Sequence, residues 1–218
     1  MSENNALARQ FTLPSLMRFA LPNIIMMVFL SMYTIVDGMF ISRYVGTLAL
    51  SAVNMTYPLN CLEMALGIML ATGGSAVIAR QLGEGEENKA RHNFSFLITV
   101  SVVVSLVFLL AAIFFLDPII SALGASKAQF DLCRTYARIL LLFSPAFFLQ
   151  TAFQTLFITA GRPGLGLAAT VGGGLTNIVL DYVFIARFHW GIAGAAIATG
   201  LGYLVPAVVG LFFFSCNR

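Results

Sequence analysis

The chain has 218 residues, 59% of them hydrophobic and only 10% charged, with a net charge of +3 and a mean hydropathy of +0.92. Ordinary soluble domains carry roughly 25% charged residues, so this composition excludes a soluble globule. The basic residues are scattered singly without an aromatic-interleaved stripe, which argues against a nucleic-acid partner.

Cys61, Cys133 and Cys216 are odd in number and lack CxxC spacing, so they form neither a disulfide framework nor a zinc site and read as small buried hydrophobes. There is no HExxH motif, no clustered His or Cys, and no nucleotide-binding loop. The expectation is a protein that is not an enzyme and has no organic cofactor.

About 20 apolar residues cross a hydrocarbon layer ~30 Å thick, and the apolar runs supply six such spans. Residues 1–12 are polar and read as a short cytoplasmic tail. The first span, 13–42, holds Pro22 in its interior, where a missing N–H and a ring clash favour a bend. The second, 47–81, contains Pro58 and Glu63, and the polar run GEGEENKARHN closes it as an exposed loop. The third covers 93–116, and a polar connection, 117–131, leads to a fourth at 132–160. GRPG at 161–164 is a turn, followed by a fifth span, 165–186, the link RFHWG, and a sixth span, 192–214. Residues 215–218 read as a truncated end or the start of a linker. The fold class is therefore all-α, a polytopic six-helix membrane bundle.

Lys and Arg divide seven against five between the two sets of span ends, which places the termini on the cytoplasmic side. His189 and Trp190 suit the opposite interface, where amphipathic rings settle. The last two spans are rich in Gly and Ala, so their backbones are expected to approach closely.

Within these apolar spans a few polar residues fall at one depth. Asp37 lies six residues before Arg43 and Asp181 six before Arg187; at 1.5 Å per residue each carboxyl group sits roughly 9 Å below the same interface. Asn177, four residues before Asp181, shares its helix face. Thr199 enters from the sixth span about 12 Å down, and Tyr136 from the outer end of the fourth. Arg134 and Arg138 are the nearest bases, but two residues along a helix is about 200° of rotation, so both face away if Tyr136 faces inward. A carboxylate in hydrocarbon costs at least ~2.5 kcal/mol and by default marks a functional position. A pair without a cationic partner escapes that cost by taking up a proton or by coordinating a metal cation, for which Asp, Asn and Thr oxygens are hard ligands. The residues leave proton and sodium both open.

Glu63 lies about 24 Å from the outer side and so at another level. It reads either as lining a lower cavity that meets substrate or as a structural residue.

The run PNIIMMVFLSMYTIVDGMFISRYVGTLALSAVNMTYP resembles the first two helices of the multidrug and toxic compound extrusion (MATE) transporters. GGSAVIARQLGEGEENKAR resembles their second connection, and TNIVLDYVFI with GIAGAAIAT their fifth and sixth helices. The resemblance implies the N-terminal six-helix lobe of a twelve-helix transporter in the bacterial inner membrane, exporting amphipathic, often cationic, drug-like compounds by antiport against H+ or Na+. It implies an ion site at Asp37, Asn177, Asp181 and Thr199 with Tyr136 nearby, and a hinge at Pro22. The missing partner would be a C-terminal lobe or a second half-chain. Glu63 is not part of the pattern carried over. A lipid-linked oligosaccharide flippase of the same superfamily and a non-transporting membrane scaffold are the alternatives; the first calls for several cationic cavity residues, of which the spans offer almost none.

Overall fold

The computed structural model describes residues 13–216, apart from the side chains of a few positions near the start of the first helix, Pro22 among them. The expected tail, 1–12, lies outside the described residues, as do residues 217 and 218. All described elements are helical. They are α1 (Leu13–Phe40), α2 (Thr47–Gly83), α3 (Glu87–Phe114), α4 (Leu116–Ala122), α5 (Lys127–Leu142), α6 (Ser144–Thr159), α7 (Pro163–Asp181) and α8 (Gly191–Cys216). Two wide π-helical turns, Ile41–Val45 and Tyr182–Arg187, continue α1 and α7 and pack against each other.

Among the described residues five helices are long and apolar enough to cross a membrane, and α5 with α6 makes a sixth span if the pair is taken as one. That pair is bent by 55°, so the straight fourth span expected over 132–160 is corrected to two helices meeting at Phe143. Pro145, in the first turn of α6, explains the break: it has no N–H to offer the carbonyl one turn back, and its ring crowds that carbonyl. The expected polar connection 117–131 likewise holds α4, with Asp117 and Pro118 in its first turn, where a missing N–H costs nothing. The exposed loop before α3 shrinks to Glu84–Glu86, because Glu87 already belongs to the helix.

The expected close pairing is found between α7 and α8, the most extensive helix pair of the bundle. A Cβ on Gly173 would lie 2.7 Å from the Gly202 carbonyl oxygen, so glycine is what lets these backbones meet. A second pinch occurs where Gly200 of α8 receives the ring of Phe143 at the α5–α6 break. The core continues from these contacts through Ile41, Ala52, Cys133, Leu140, Ile185 and Ala195. Of the cysteines only Cys133 is buried; Cys216 is exposed, against expectation, because the end of α8 has no helix covering that side. Trp190 is half exposed and stacks on Phe184 with ring centroids 4.9 Å apart, as suits an interfacial ring.

Candidate ion-binding site

α1 carries Asp37 in its last turn, and α7 ends on Asp181. The pairing of these helices brings the two carboxyl groups within hydrogen-bond reach of one another. Asp181 is 0% exposed, and Asp37 is half-buried with its Oδ1 fully enclosed. Neither Asp37 Oδ1 nor either oxygen of Asp181 accepts a hydrogen bond among the described residues. An unpaired buried polar atom is costly and calls for an explanation such as an ion or proton.

Asn177 stands one turn below Asp181 on the same face. It donates from Nδ2 to Thr199 Oγ1 at 3.4 Å, which leaves its carbonyl Oδ1 buried and unpaired. Asn177 and Thr199 also line a cavity of about 30 Å³ together with Tyr33, Gln150, Thr170 and Tyr203. A space of that size, with several polar walls, has room for a single water or a small cation. The carboxyl pair and the Asn177–Thr199 pair are linked along one face of α7, one turn apart, and between them hold three unpaired acidic oxygens and an unpaired amide carbonyl, while the cavity itself is lined by Asn177 and Thr199 and not by the aspartates.

Tyr136 is buried at 4% exposure, within electrostatic range of both carboxyl groups; the interior placement prevails over a membrane-anchor role. Arg134 and Arg138 are exposed, Arg134 is held by Asp117 at 3.0 Å, and among the described residues no ion pair reaches Asp37 or Asp181. Two tyrosines that the sequence analysis missed complete the setting. Tyr33 lies near both Asp37 and Asp181, and Tyr203 is within electrostatic range of both Asp37 and Glu63. Helical spacing could have found them, because Tyr33 precedes Asp37 by four residues and Tyr203 follows Thr199 by four. Glu63 is buried elsewhere, on α2 beside Ser144. α1 runs through position 22 as one helix, and the Pro22 side chain lies outside the described residues.

The model of the MatE family matches residues 22–183. This chain belongs to the MatE family. It is similar to the multidrug export protein MepA of Staphylococcus aureus (strain MRSA252), with 28% identity over 206 residues, 93% of this chain and 45% of that protein. MepA of Staphylococcus haemolyticus (strain JCSC1435) is 29% identical over 199 residues, covering 91% and 43% of the two chains. Among solved structures, the outward-facing conformation of a multidrug resistance MATE family transporter of the MOP superfamily superposes with a TM-score of 0.87 at 26% identity, covering 92% of this chain and 44% of that one. The chain therefore spans about half the length of the curated relatives it matches. The family it belongs to is one of multi-pass membrane transporters rather than enzymes, and its own helices include five that are long and apolar enough to cross a membrane.

Proposed function

We propose that this chain is the ion-coupling lobe of a secondary active multidrug exporter, in which Asp37 and Asp181 bind the driving cation, H+ or Na+. The observation that carries this is the carboxyl pair: two acids on separate spans, in mutual reach, with three buried oxygens lacking a donor and no base beside them. Similarity to multidrug export proteins supports drug-like, amphipathic substrates.

With the site empty, two adjacent carboxylates repel and α1 is pushed from α7. A bound cation removes the repulsion, and Asn177 Oδ1 and Thr199 Oγ1 stand ready as further oxygen ligands should that cation be sodium. Because Asp37 and Pro22 lie on the same helix, occupancy at one would be read as a bend at the other, reshaping a cavity shared with a second lobe and releasing drug outward. The ion shifts this equilibrium only by its difference in affinity for the two states. The second lobe is either a C-terminal half or another half-chain, and the site of action is the bacterial inner membrane with the N-terminus in the cytoplasm.

The test is retention of a fluorescent lipophilic cation by cells that express this chain together with a second lobe. Asp37→Asn and Asp181→Asn are each expected to raise retention to that of cells without the exporter while membrane insertion stays unchanged. Efflux at the unaltered rate in either variant overturns the proposal.

A further inference from the structure

α2 carries an acid that the Asp37–Asp181 pair does not use. Glu63 is 4% exposed, and its Oε1 is fully enclosed without a hydrogen-bond partner. Beside it stands Ser144, 0% exposed, whose Oγ also has no well-formed hydrogen bond. Ser144 is the first residue of α6, directly after the break at Phe143. From α8, Tyr203 comes within electrostatic range of Glu63 and also of Asp37, Tyr33 and Tyr136.

The elements packed on α2 are α3, α5, α6 and the first π-helical turn. Among the described residues none of them brings a Lys, Arg or His against Glu63; the ion pairs found are Arg80–Glu84, Lys89–Glu86 and Arg134–Asp117, all on exposed side chains. The faces turned to Glu63 offer a hydroxyl from Ser144 and a phenol from Tyr203. A bare carboxylate in such surroundings costs several kcal/mol or more, and the compensation is either a metal cation or a proton. Ca2+ and Mg2+ take about six or more oxygen ligands, whereas the oxygens found about Glu63 are the hydroxyls of Ser144 and Tyr203. A proton needs only one acceptor. Placed on the Glu63 carboxyl it turns that group into a donor, Ser144 Oγ accepts, and a single hydrogen satisfies both orphaned atoms.

We propose that Glu63 is a proton-binding site of this lobe additional to the Asp37–Asp181 pair, holding a proton on its carboxyl group against Ser144 at the α5–α6 break, with Tyr203 in electrostatic range of both Glu63 and Asp37. Loading forms one O–H bond on the Glu63 carboxyl at the expense of one in hydronium; unloading returns that proton to water. In the unloaded state the Ser144 hydroxyl reverses its role and donates to the carboxylate, so the hydrogen bond across the break changes direction with occupancy. Ser144 is the positioning residue, since it acts through Glu63. The inference stands apart from the coupling role given to the aspartates.

Infrared difference spectroscopy of the purified chain in lipid nanodiscs, titrated through neutral pH in H2O and D2O, reads it directly. The expected result is a deuterium-sensitive carboxylic-acid carbonyl band that persists at neutral pH and shifts when the protein is labelled with 13C-carboxyl glutamate. Of the other described glutamates, Glu84, Glu86 and Glu87 lie around the exposed α2–α3 loop, two of them in surface ion pairs, so they do not contribute such a band. Glu63→Gln removes the band, Ser144→Ala moves its frequency, and Asp37→Asn leaves it in place. Because the isotope label needs no variant, a Glu63→Gln protein that fails to fold leaves the test intact. A band unmoved by glutamate labelling, or one lost only in Asp37→Asn or Asp181→Asn, overturns the proposal; such an outcome would leave the aspartate site standing.

Discussion

The two helices that contribute the carboxyl pair differ in how they are held. Of the membrane-spanning stretch that includes α7, 39% is buried in the bundle, and α8 beside it matches that share; for α1 the share is 11%. Asp181 therefore stands on a platform fixed by backbone contact, Gly173 against Gly202, whereas Asp37 and Tyr33 ride on a helix with one side on α7 and much of its apolar surface, from Ile24 to Met39, uncovered by this chain. In a membrane, lipid tails reward side-chain packing little more than other helices do, so close backbone approach and polar contacts decide which helices stay together. The seam supplies the first to α7 on its α8 side; α1 meets α7 through the ring of Phe29 against Gly174 and, nearer the outer end, through the proposed ion site. A site whose one wall is fixed and whose other is retained by the contents can report occupancy as movement.

The strongest way to break that contrast is to remove the seam. Gly173→Val adds branches that meet the Gly202 carbonyl and the Pro206 ring, and overpacking of this kind costs about 1–3 kcal/mol. Thermal unfolding of the purified chain in detergent should fall by about 3–10 °C, and an unchanged midpoint would mean that α7–α8 is no platform. Hydrogen exchange sharpens the same contrast without a substitution. Amides of α1 between Ile24 and Phe40 should exchange on the order of tenfold faster than those of α8 between Ala195 and Gly210, since local stability follows buried contact; equal protection would remove the distinction. The smallest effect is expected on the uncovered face of α1, where Met32 is 60% exposed. Met32→Ala should change stability by less than about 0.5 kcal/mol in the thermal assay, and a larger loss would show that this face is packed.

Much of the site could be read from spacing alone. Asp37 and Asp181 each stand six residues before an interfacial arginine, and a membrane turns such a count into a depth, which is why two positions 144 residues apart could be brought to one level. Asn177 and Thr199 followed from the same count. What spacing did not yield were features decided by tertiary direction. Tyr33 and Tyr203 look like ordinary interfacial rings until the helix faces that carry them are known, although each sits one turn from a residue already singled out. The break at Phe143 was signposted by Pro145, yet a proline permits a bend without fixing its size, and neither the 55° angle nor the seating of the Phe143 ring on Gly200 follows from it. Glu63 could be placed at its depth, but not beside Ser144, because that neighbour depends on the bend.

The wide turns that follow Asp37 and Asp181 have a mechanical consequence. In an uninterrupted α-helix every side chain is phased to every other, so a rotation felt at one end is delivered unchanged to the far end. Each π-helical turn spreads an additional residue over the coil, and the phase relation is lost there. Arg43 and Arg187, exposed in those turns, therefore face a direction offset from the one a regular helix would give them relative to the acids one to two turns before.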